Sequence, residues 1–249
     1  MQQLSVVVVH GSYSEVYRQE FNLLLERVSA RVAHPVCGVY LECTDRPMVT
    51  AITQYLETYP DKSDIHLQIL PLFLLPGVHV REDIPGAIAQ LRQQFPKITI
   101  QTLPYLGKDG LLAPFLERQF EKHPDAKRVL LAHGSRRTGA NPQIETLAAS
   151  LNANTAYWAT EPALQETIAL LTKEDLNIVY VVPYFLFSGK IPAAIAAQVH
   201  ELQQSYSRLQ FYLGQPFGTQ PDCAVAIAAL LNKKNKSTKK NKPNNLISR

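Results

Sequence analysis

Three side chains that could hold a metal ion occur where apolar segments of the chain end. His10 follows the apolar run 4–9 and precedes a glycine, Glu42 ends a second apolar run, and His79 lies in a loop that opens with Pro-Gly. Two imidazoles and one carboxylate form an open ligand set that suits divalent iron, cobalt, nickel or zinc. Plainer roles stay open for each: His10 as a helix cap, His79 as a surface histidine and Glu42 as an exposed strand-end acid.

An internal duplication restricts this chemistry to one half of the chain. The triplet His-Gly-Ser at 10–12 recurs at 133–135, an offset of 133 − 10 = 123 residues, and the segment 71–77 recurs at 183–189, an offset of 183 − 71 = 112. The second copy then proceeds directly to Lys-Ile-Pro and lacks the stretch that holds His79. We therefore expect the metal chemistry to be concentrated in the first half.

The acid has no counterpart in the second copy either. An aromatic residue, Trp158 or Tyr157, is expected to occupy the place of Glu42, so that His133 alone remains of the three. The sequence thus predicts one active site and one degenerate site.

Strand-like and helix-like patterns alternate along both copies and must position these residues. Continuous apolar runs separated by helices indicate parallel sheets that are covered on both faces, and ligands of such sheets bind beyond the carboxyl ends of the strands. The fold class is therefore predicted as α/β, with two similar doubly wound parallel-sheet domains. The predicted domains are residues 1–124, with the metal site, and 125–231, with the degenerate site, followed by a basic disordered tail, 232–249.

Charge and composition exclude several functions. Seven of the 25 basic residues lie in 232–249, so the remainder carries 25 − 7 = 18 basic against 21 acidic residues, a net charge of −3. No arginine or aromatic pattern accompanies the basic tail, which argues against nucleic acid as a partner. Three cysteines without zinc-site spacing, no signal-peptide pattern and no apolar stretch long enough for a bilayer predict a cytoplasmic protein without a membrane partner.

The sequence resembles the sirohydrochlorin chelatases, the class II, ATP-independent cobaltochelatases and ferrochelatases. The residues that carry the resemblance are His10-Gly11-Ser12, the strand-end Glu42 and the long motif 71–85, and it extends from residue 1 to about 231. It implies a paired chelatase fold and insertion of a divalent metal into sirohydrochlorin, on the route to sirohaem or cobalamin. It implies that His10, His79 and Glu42 are the catalytic residues, with the two histidines as metal ligands and Glu42 as a carboxylate that balances the charge of the ion and orients a histidine.

The same resemblance implies that the chain is a fused dimer of shorter relatives, and we expect a monomer that needs no cofactor beyond the metal substrate, with Fe²⁺ favoured over Co²⁺. Sirohydrochlorin is a polycarboxylate, so cationic and polar residues at the rim are predicted to bind it. They are Ser12, Arg81, Arg136, Arg137 and Lys190. Two alternatives stay open: a non-catalytic tetrapyrrole or metal carrier that uses the same cleft, and a metal-free hydrolase that depends on Ser12.

Overall fold

The computed structural model describes residues 2–135, 141–172 and 177–233. In the first half the elements are β1 (Gln2–Val9), α1 (Glu15–Ser29), β2 (Val36–Tyr40), α2 (Met48–Glu57), β3 (Ile65–Pro71), a π-helical turn (His79–Asp83), α3 (Ile84–Gln94), β4 (Thr99–Thr102), a 3₁₀ turn (Lys108–Gly110) and α4 (Ala113–Phe120). In the second half they are β5 (Lys127–Ala132), α5 (Pro142–Ser150), β6 (Asn154–Tyr157), α6 (Leu164–Leu171), β7 (Ile178–Pro183), α7 (Lys190–Ser205), β8 (Gln210–Leu213), a 3₁₀ turn (Phe217–Thr219) and α8 (Pro221–Leu231). The predicted tail lies outside the described residues beyond position 233.

Each half contains a four-stranded parallel sheet with the same strand order. The first sheet has the order β2-β1-β3-β4 and the second β6-β5-β7-β8. The central strands are buried on both faces because helices cover both, as the unbroken burial of β3 illustrates. The predicted pair of α/β parallel-sheet domains is therefore confirmed.

A single hydrophobic core joins the two halves. Val7 and Val9 of β1 face this central core, which includes residues of α1, β5 and α8, whereas the alternate residues of β1 face an outer core under α2 and α3. A third core lies on the outer face of the second sheet. Because α1 packs against α8 through this shared core, the halves are held together by apolar burial as well as by the chain connection.

Polar contacts also cross between the halves at the edges of the central core. The Glu20 carboxylate accepts hydrogen bonds from the Ser188 backbone N–H at 2.7 Å and from its hydroxyl at 2.6 Å. Arg27 donates to the Thr219 carbonyl at 2.9 Å. These contacts fix the loop before α7 and the 3₁₀ turn before α8 against α1. None of the helices in the described parts of the chain is long and apolar enough to cross a bilayer.

Candidate metal-binding site

Backbone contact between two strand ends brings His10 and Glu42 together. The Glu42 N–H donates to the His10 carbonyl at 2.7 Å, which continues the pairing of β1 with β2. Gly11 has a φ of 104°, and a Cβ placed on it would overlap the Glu42 carbonyl oxygen. A glycine is therefore required for this close approach, which leaves the Nε2 of His10 at 3.5 Å from the Oε2 of Glu42.

Arg18 of α1 ties the two strand-end loops to each other. Its Nε donates to the Ser12 carbonyl at 3.0 Å, and its Nη2 donates to the Cys43 carbonyl at 3.2 Å. One side chain thus fixes the residues that follow His10 and Glu42. Sequence reasoning missed Arg18, because a single arginine in an amphipathic helix carries no signal that it reaches two distant carbonyls.

A π-helical turn places His79 beside the other two residues. The Ile84 N–H donates to the His79 carbonyl five residues earlier, the spacing that defines such a turn and that is frequent at functional sites. The Nε2 of His79 lies 3.8 Å from the Oε1 of Glu42, and its ring centroid lies 4.8 Å from that of His10. One ligand atom from each of the three residues lies within 4.8 Å of the others.

Hydrogen bonds on the far side of each imidazole orient the ring. The Nδ1 of His10 lies 3.1 Å from the Gly11 carbonyl, and the Nδ1 of His79 lies 2.7 Å from the Asp83 carboxylate. The acceptors at Nδ1 are closer than the Glu42 oxygens, which lie 3.5 and 3.8 Å from Nε2, and so favour a proton on Nδ1. A neutral ring of that form keeps its lone pair on Nε2, the atom that faces Glu42. The arrangement offers two nitrogen donors and one carboxylate to a single ion.

The site is open to solvent, and the nearby phenols are neutral. The side chains of His10, His79 and Glu42 are 47%, 25% and 52% exposed, which leaves one side of a bound ion accessible to a large substrate.

Burial raises the pKa of Tyr17, behind the His10 loop, to about 12, and burial also raises the pKa of Tyr40. These phenols therefore contribute no charge at neutral pH.

Three of the predicted substrate-binding residues lie among the described residues, and two do not. Arg81 is exposed on the π-helical turn, and Lys190 is exposed at the start of α7. The Ser12 hydroxyl accepts from the Ser14 N–H at 3.1 Å in the turn before α1. Arg136 and Arg137 fall in the gap between 135 and 141, so their predicted role in carboxylate binding stays a prediction.

Ser12 is not placed as a nucleophile beside a histidine base. The two nitrogens of His10 face the Gly11 carbonyl and Glu42, and no hydrogen bond joins Ser12 to a histidine among the described residues. A nucleophilic serine needs a general base within hydrogen-bonding reach. The arrangement favours metal binding over acyl hydrolysis.

The second half repeats the histidine but replaces the acid with alanine. The Nδ1 of His133 lies 3.0 Å from the Gly134 carbonyl, as at His10. The Ala159 N–H donates to the His133 carbonyl at 2.9 Å, the bond that Glu42 makes to His10. The prediction that Trp158 or Tyr157 replaces Glu42 is therefore wrong: β6 ends at Tyr157, and the pairing continues for two residues past that end, as it does after β2.

The missing stretch of the second half has the length of the π-helical turn. The offset between the copies is 189 − 77 = 112 at the glycine before the turn and 192 − 85 = 107 at the proline after it. The difference, 112 − 107 = 5 residues, equals the length of His79–Asp83. In the second half α7 therefore begins directly after Gly189, and the element that carries both His79 and Asp83 is absent.

The fold and the site together define a class: a two-domain α/β protein with an open His–His–carboxylate cluster at the sheet edge of its first half. A family model described as CbiX matches the chain twice, over residues 4–123 and 127–234. The chain belongs to the CbiX family. The resemblance to the sirohydrochlorin chelatases predicted from the sequence is thereby confirmed.

The proteins similar to this chain include both a ferrochelatase and a cobaltochelatase. A sirohydrochlorin ferrochelatase of Priestia megaterium is 24% identical over 91% of this chain and 90% of its own length. A sirohydrochlorin cobaltochelatase of the same organism is 22% identical over 68% of this chain and 61% of its own length. The solved structure of SirB from Bacillus subtilis with Fe³⁺ is 23% identical, has a TM-score of 0.77 and matches 93% of this chain and 94% of that one, which supports the fold.

Proposed function

We propose that the protein is a sirohydrochlorin chelatase that inserts a divalent metal ion into its tetrapyrrole substrate at the cluster of His10, Glu42 and His79. The observation that carries the proposal is the convergence of these three ligand atoms within 4.8 Å at an exposed edge of the sheet. A site with open coordination positions can hold the ion and still present it to a flat macrocycle. The names of the relatives supply the substrate class.

Metal insertion sets two requirements that the site residues can meet. The ion must lose water ligands, and the macrocycle must lose two N–H protons as its nitrogens bond to the metal. In the proposed mechanism the Nε2 atoms of His10 and His79 replace water on the ion, and Glu42 compensates part of its charge. One imidazole accepts a pyrrole proton once the ion has left its Nε2, and solvent accepts the second proton.

We propose Fe²⁺ as the favoured metal substrate and Co²⁺ as the next. Imidazole and carboxylate ligands bind both ions with similar geometry, so the ligand set itself does not separate them. The preference for iron is supported by the ferrochelatase of Priestia megaterium, because its match to this chain covers 90% of its length. Competition between equal concentrations of the two ions, read from the product spectra, tests it. More cobalt than iron product would refute the preference.

The proposed enzyme acts as a monomer and without ATP or any resident cofactor. The two halves share one hydrophobic core, so a single chain already contains the paired arrangement that the family resemblance implies. Light scattering of the purified protein should give the mass of one chain. Turnover should persist in buffer that contains only the metal ion and sirohydrochlorin.

The test of the function is anaerobic conversion of sirohydrochlorin with Fe²⁺ or Co²⁺, followed by the change in absorption. His10→Ala and His79→Ala should lose most of the rate, and His133→Ala, the matched control in the degenerate half, should keep it. Equal loss in all three variants, or none in the first two, would refute the proposal. Ser12→Ala should keep its turnover rate at saturating sirohydrochlorin even if its KM rises, whereas a hydrolase that depends on this serine would lose its activity.

The alternative of a non-catalytic carrier makes a different prediction in the same experiment. A carrier would bind the metallated tetrapyrrole tightly but would not raise the rate of metal insertion above that of the free reactants. The open exposure of Glu42 and His10 favours an enzyme, since a carrier gains from enclosing its cargo. Tight product binding without rate increase would establish the carrier.

A further inference from the structure

The two imidazoles of the site are held by partners of different charge. The Nδ1 of His10 faces a neutral backbone carbonyl at 3.1 Å, whereas the Nδ1 of His79 faces the Asp83 carboxylate at 2.7 Å. Hydrogen bonds to an ionised acceptor are shorter and roughly twice as strong as neutral ones. His79 is also the less exposed ring, at 25% against 47% for His10. The structure therefore contains one firmly held imidazole and one loosely held imidazole.

We propose that Asp83 is a positioning residue that fixes the Nε2 of His79 as a metal ligand; this inference rests on the proposed function of the site. An acceptor at Nδ1 keeps the proton there and leaves the lone pair on Nε2. A carboxylate in this position also makes the ring a stronger donor to a metal ion. Asp83 lies beyond Nδ1 on the far side of the ring, so it acts on the metal through His79.

The spacing of the pair along one helical segment explains why it forms. His79 and Asp83 are the first and last residues of the π-helical turn, and side chains four residues apart on a helix are neighbours. Glu82 is the adjacent acid on the same exposed turn, but it is not among the contacts that His79 makes in the described chain. Of the two adjacent acids, Asp83 therefore orients the His79 ring and Glu82 serves as a comparison.

The duplication supports a shared role for the two residues. The second half lacks a stretch of five residues, the length of the turn, and so has lost the histidine and the carboxylate together. What it retains is His133, whose Nδ1 lies 3.0 Å from the Gly134 carbonyl, as the Nδ1 of His10 lies beside the Gly11 carbonyl. The carboxylate is therefore present in the half that has the second imidazole and absent from the half that does not.

The first test measures the tautomer of His79 in the metal-free protein. Long-range ¹H–¹⁵N spectra distinguish a ring protonated on Nδ1 from one protonated on Nε2, and His79→Gln assigns the signals. The wild type should show the Nδ1–H form, and Asp83→Ala should shift toward the Nε2–H form. Glu82→Gln, which removes the same charge one residue away, should leave the spectrum unchanged. An unchanged tautomer in Asp83→Ala would overturn the proposal.

The second test measures Co²⁺ binding by calorimetry with the metal alone. Asp83→Ala should bind Co²⁺ about 10- to 100-fold more weakly than the wild type, the usual effect of removing a carboxylate that orients a metal-bound histidine. Asp83→Glu should recover part of the affinity, and Glu82→Gln should match the wild type. Equal weakening in Asp83→Ala and Glu82→Gln would show a general charge effect and would overturn the positioning role.

The two tests separate the failure of this inference from the failure of the proposed function. Where Asp83→Ala does not fold, the isosteric Asp83→Asn keeps the shape of the side chain, and its loss of affinity relative to Glu82→Gln decides the question. If wild-type Co²⁺ binding does not depend on His79, the proposed function fails, whereas the tautomer measurement still decides what Asp83 does. If binding depends on His79 but not on Asp83, the positioning role alone fails.

Discussion

Replacing Gly11 with alanine tests how closely the backbone must pack to form the site. A Cβ at this position would lie 2.0 Å from the Glu42 carbonyl oxygen, and such atoms essentially never approach within 3.0 Å, so the strand end must move by at least 3.0 − 2.0 = 1.0 Å. The φ of 104° adds about 1–3 kcal/mol of backbone strain for a residue other than glycine. A displacement of about 1 Å in a positioned group can lower a rate by roughly 100-fold.

The assay is the initial rate of metal insertion, with unfolding by urea measured in parallel. Gly134→Ala is the matched control: Gly134 has a φ of 76°, and a Cβ there would overlap Thr160 in the degenerate half. We expect both variants to lose stability and only Gly11→Ala to lose about two orders of magnitude in rate. Full activity of Gly11→Ala, or an equal loss in Gly134→Ala, would refute the reasoning.

Three further predictions concern the contact between the halves, the response to acid and the substrate. Glu20→Ala removes both hydrogen bonds to Ser188 and should lower the free energy of unfolding by about 1.5–3 kcal/mol in urea titrations, the range for bonds to a charged group. Burial, together with the nearby His66, lowers the pKa of His34 in the folded protein. As the pH drops below about 6.5, His34 therefore takes up a proton in the unfolded chain before it does so in the folded one, and stability should fall. His34→Gln should reduce that loss. Arg81→Ala and Lys190→Ala should each raise the KM for sirohydrochlorin up to about fivefold, since exposed ion pairs contribute up to about 1 kcal/mol.

Each of these predictions has an outcome that contradicts it. An unchanged unfolding midpoint in Glu20→Ala would show that the hydrogen bonds to Ser188 do not stabilise the contact between the halves. The same pH dependence in His34→Gln as in the wild type would assign the acid sensitivity to other groups. A raised KM for the metal ion, with that for sirohydrochlorin unchanged, would remove Arg81 and Lys190 from the binding of substrate carboxylates.

The convergence of the site could be predicted because topology controls it. In a parallel sheet the carboxyl ends of neighbouring strands meet at one edge, so His10 after β1, Glu42 after β2 and the loop after β3 had to lie near one another. The degenerate half could be predicted because His-Gly-Ser recurs at 133–135 without a second copy of the stretch that holds His79. These conclusions need only the alternation of strands with helices and the approximate positions of the strand ends, which apolar patterns indicate.

What could not be predicted depends on atomic contacts rather than on patterns. The role of Asp83 follows from a π-helical turn, and its spacing of four residues from His79 was the one available signal. The counterpart of Glu42 was misplaced because apolar runs locate a strand end only to within a residue or two, and Ala159 differs from Trp158 by one position. The core shared between the halves depends on how α1 meets α8, which hydrophobic periodicity does not determine.

The most direct measurement for the central claim is the position of the metal ion in crystals soaked with Co²⁺, located by anomalous scattering. The claim is that the Nε2 atoms of His10 and His79 bind one ion together with Glu42. We predict a single strong peak within bonding distance of both Nε2 atoms and of the Glu42 carboxylate, and none at His133. The account would be contradicted by a peak of equal height at His133, or by the absence of a peak beside His10, Glu42 and His79.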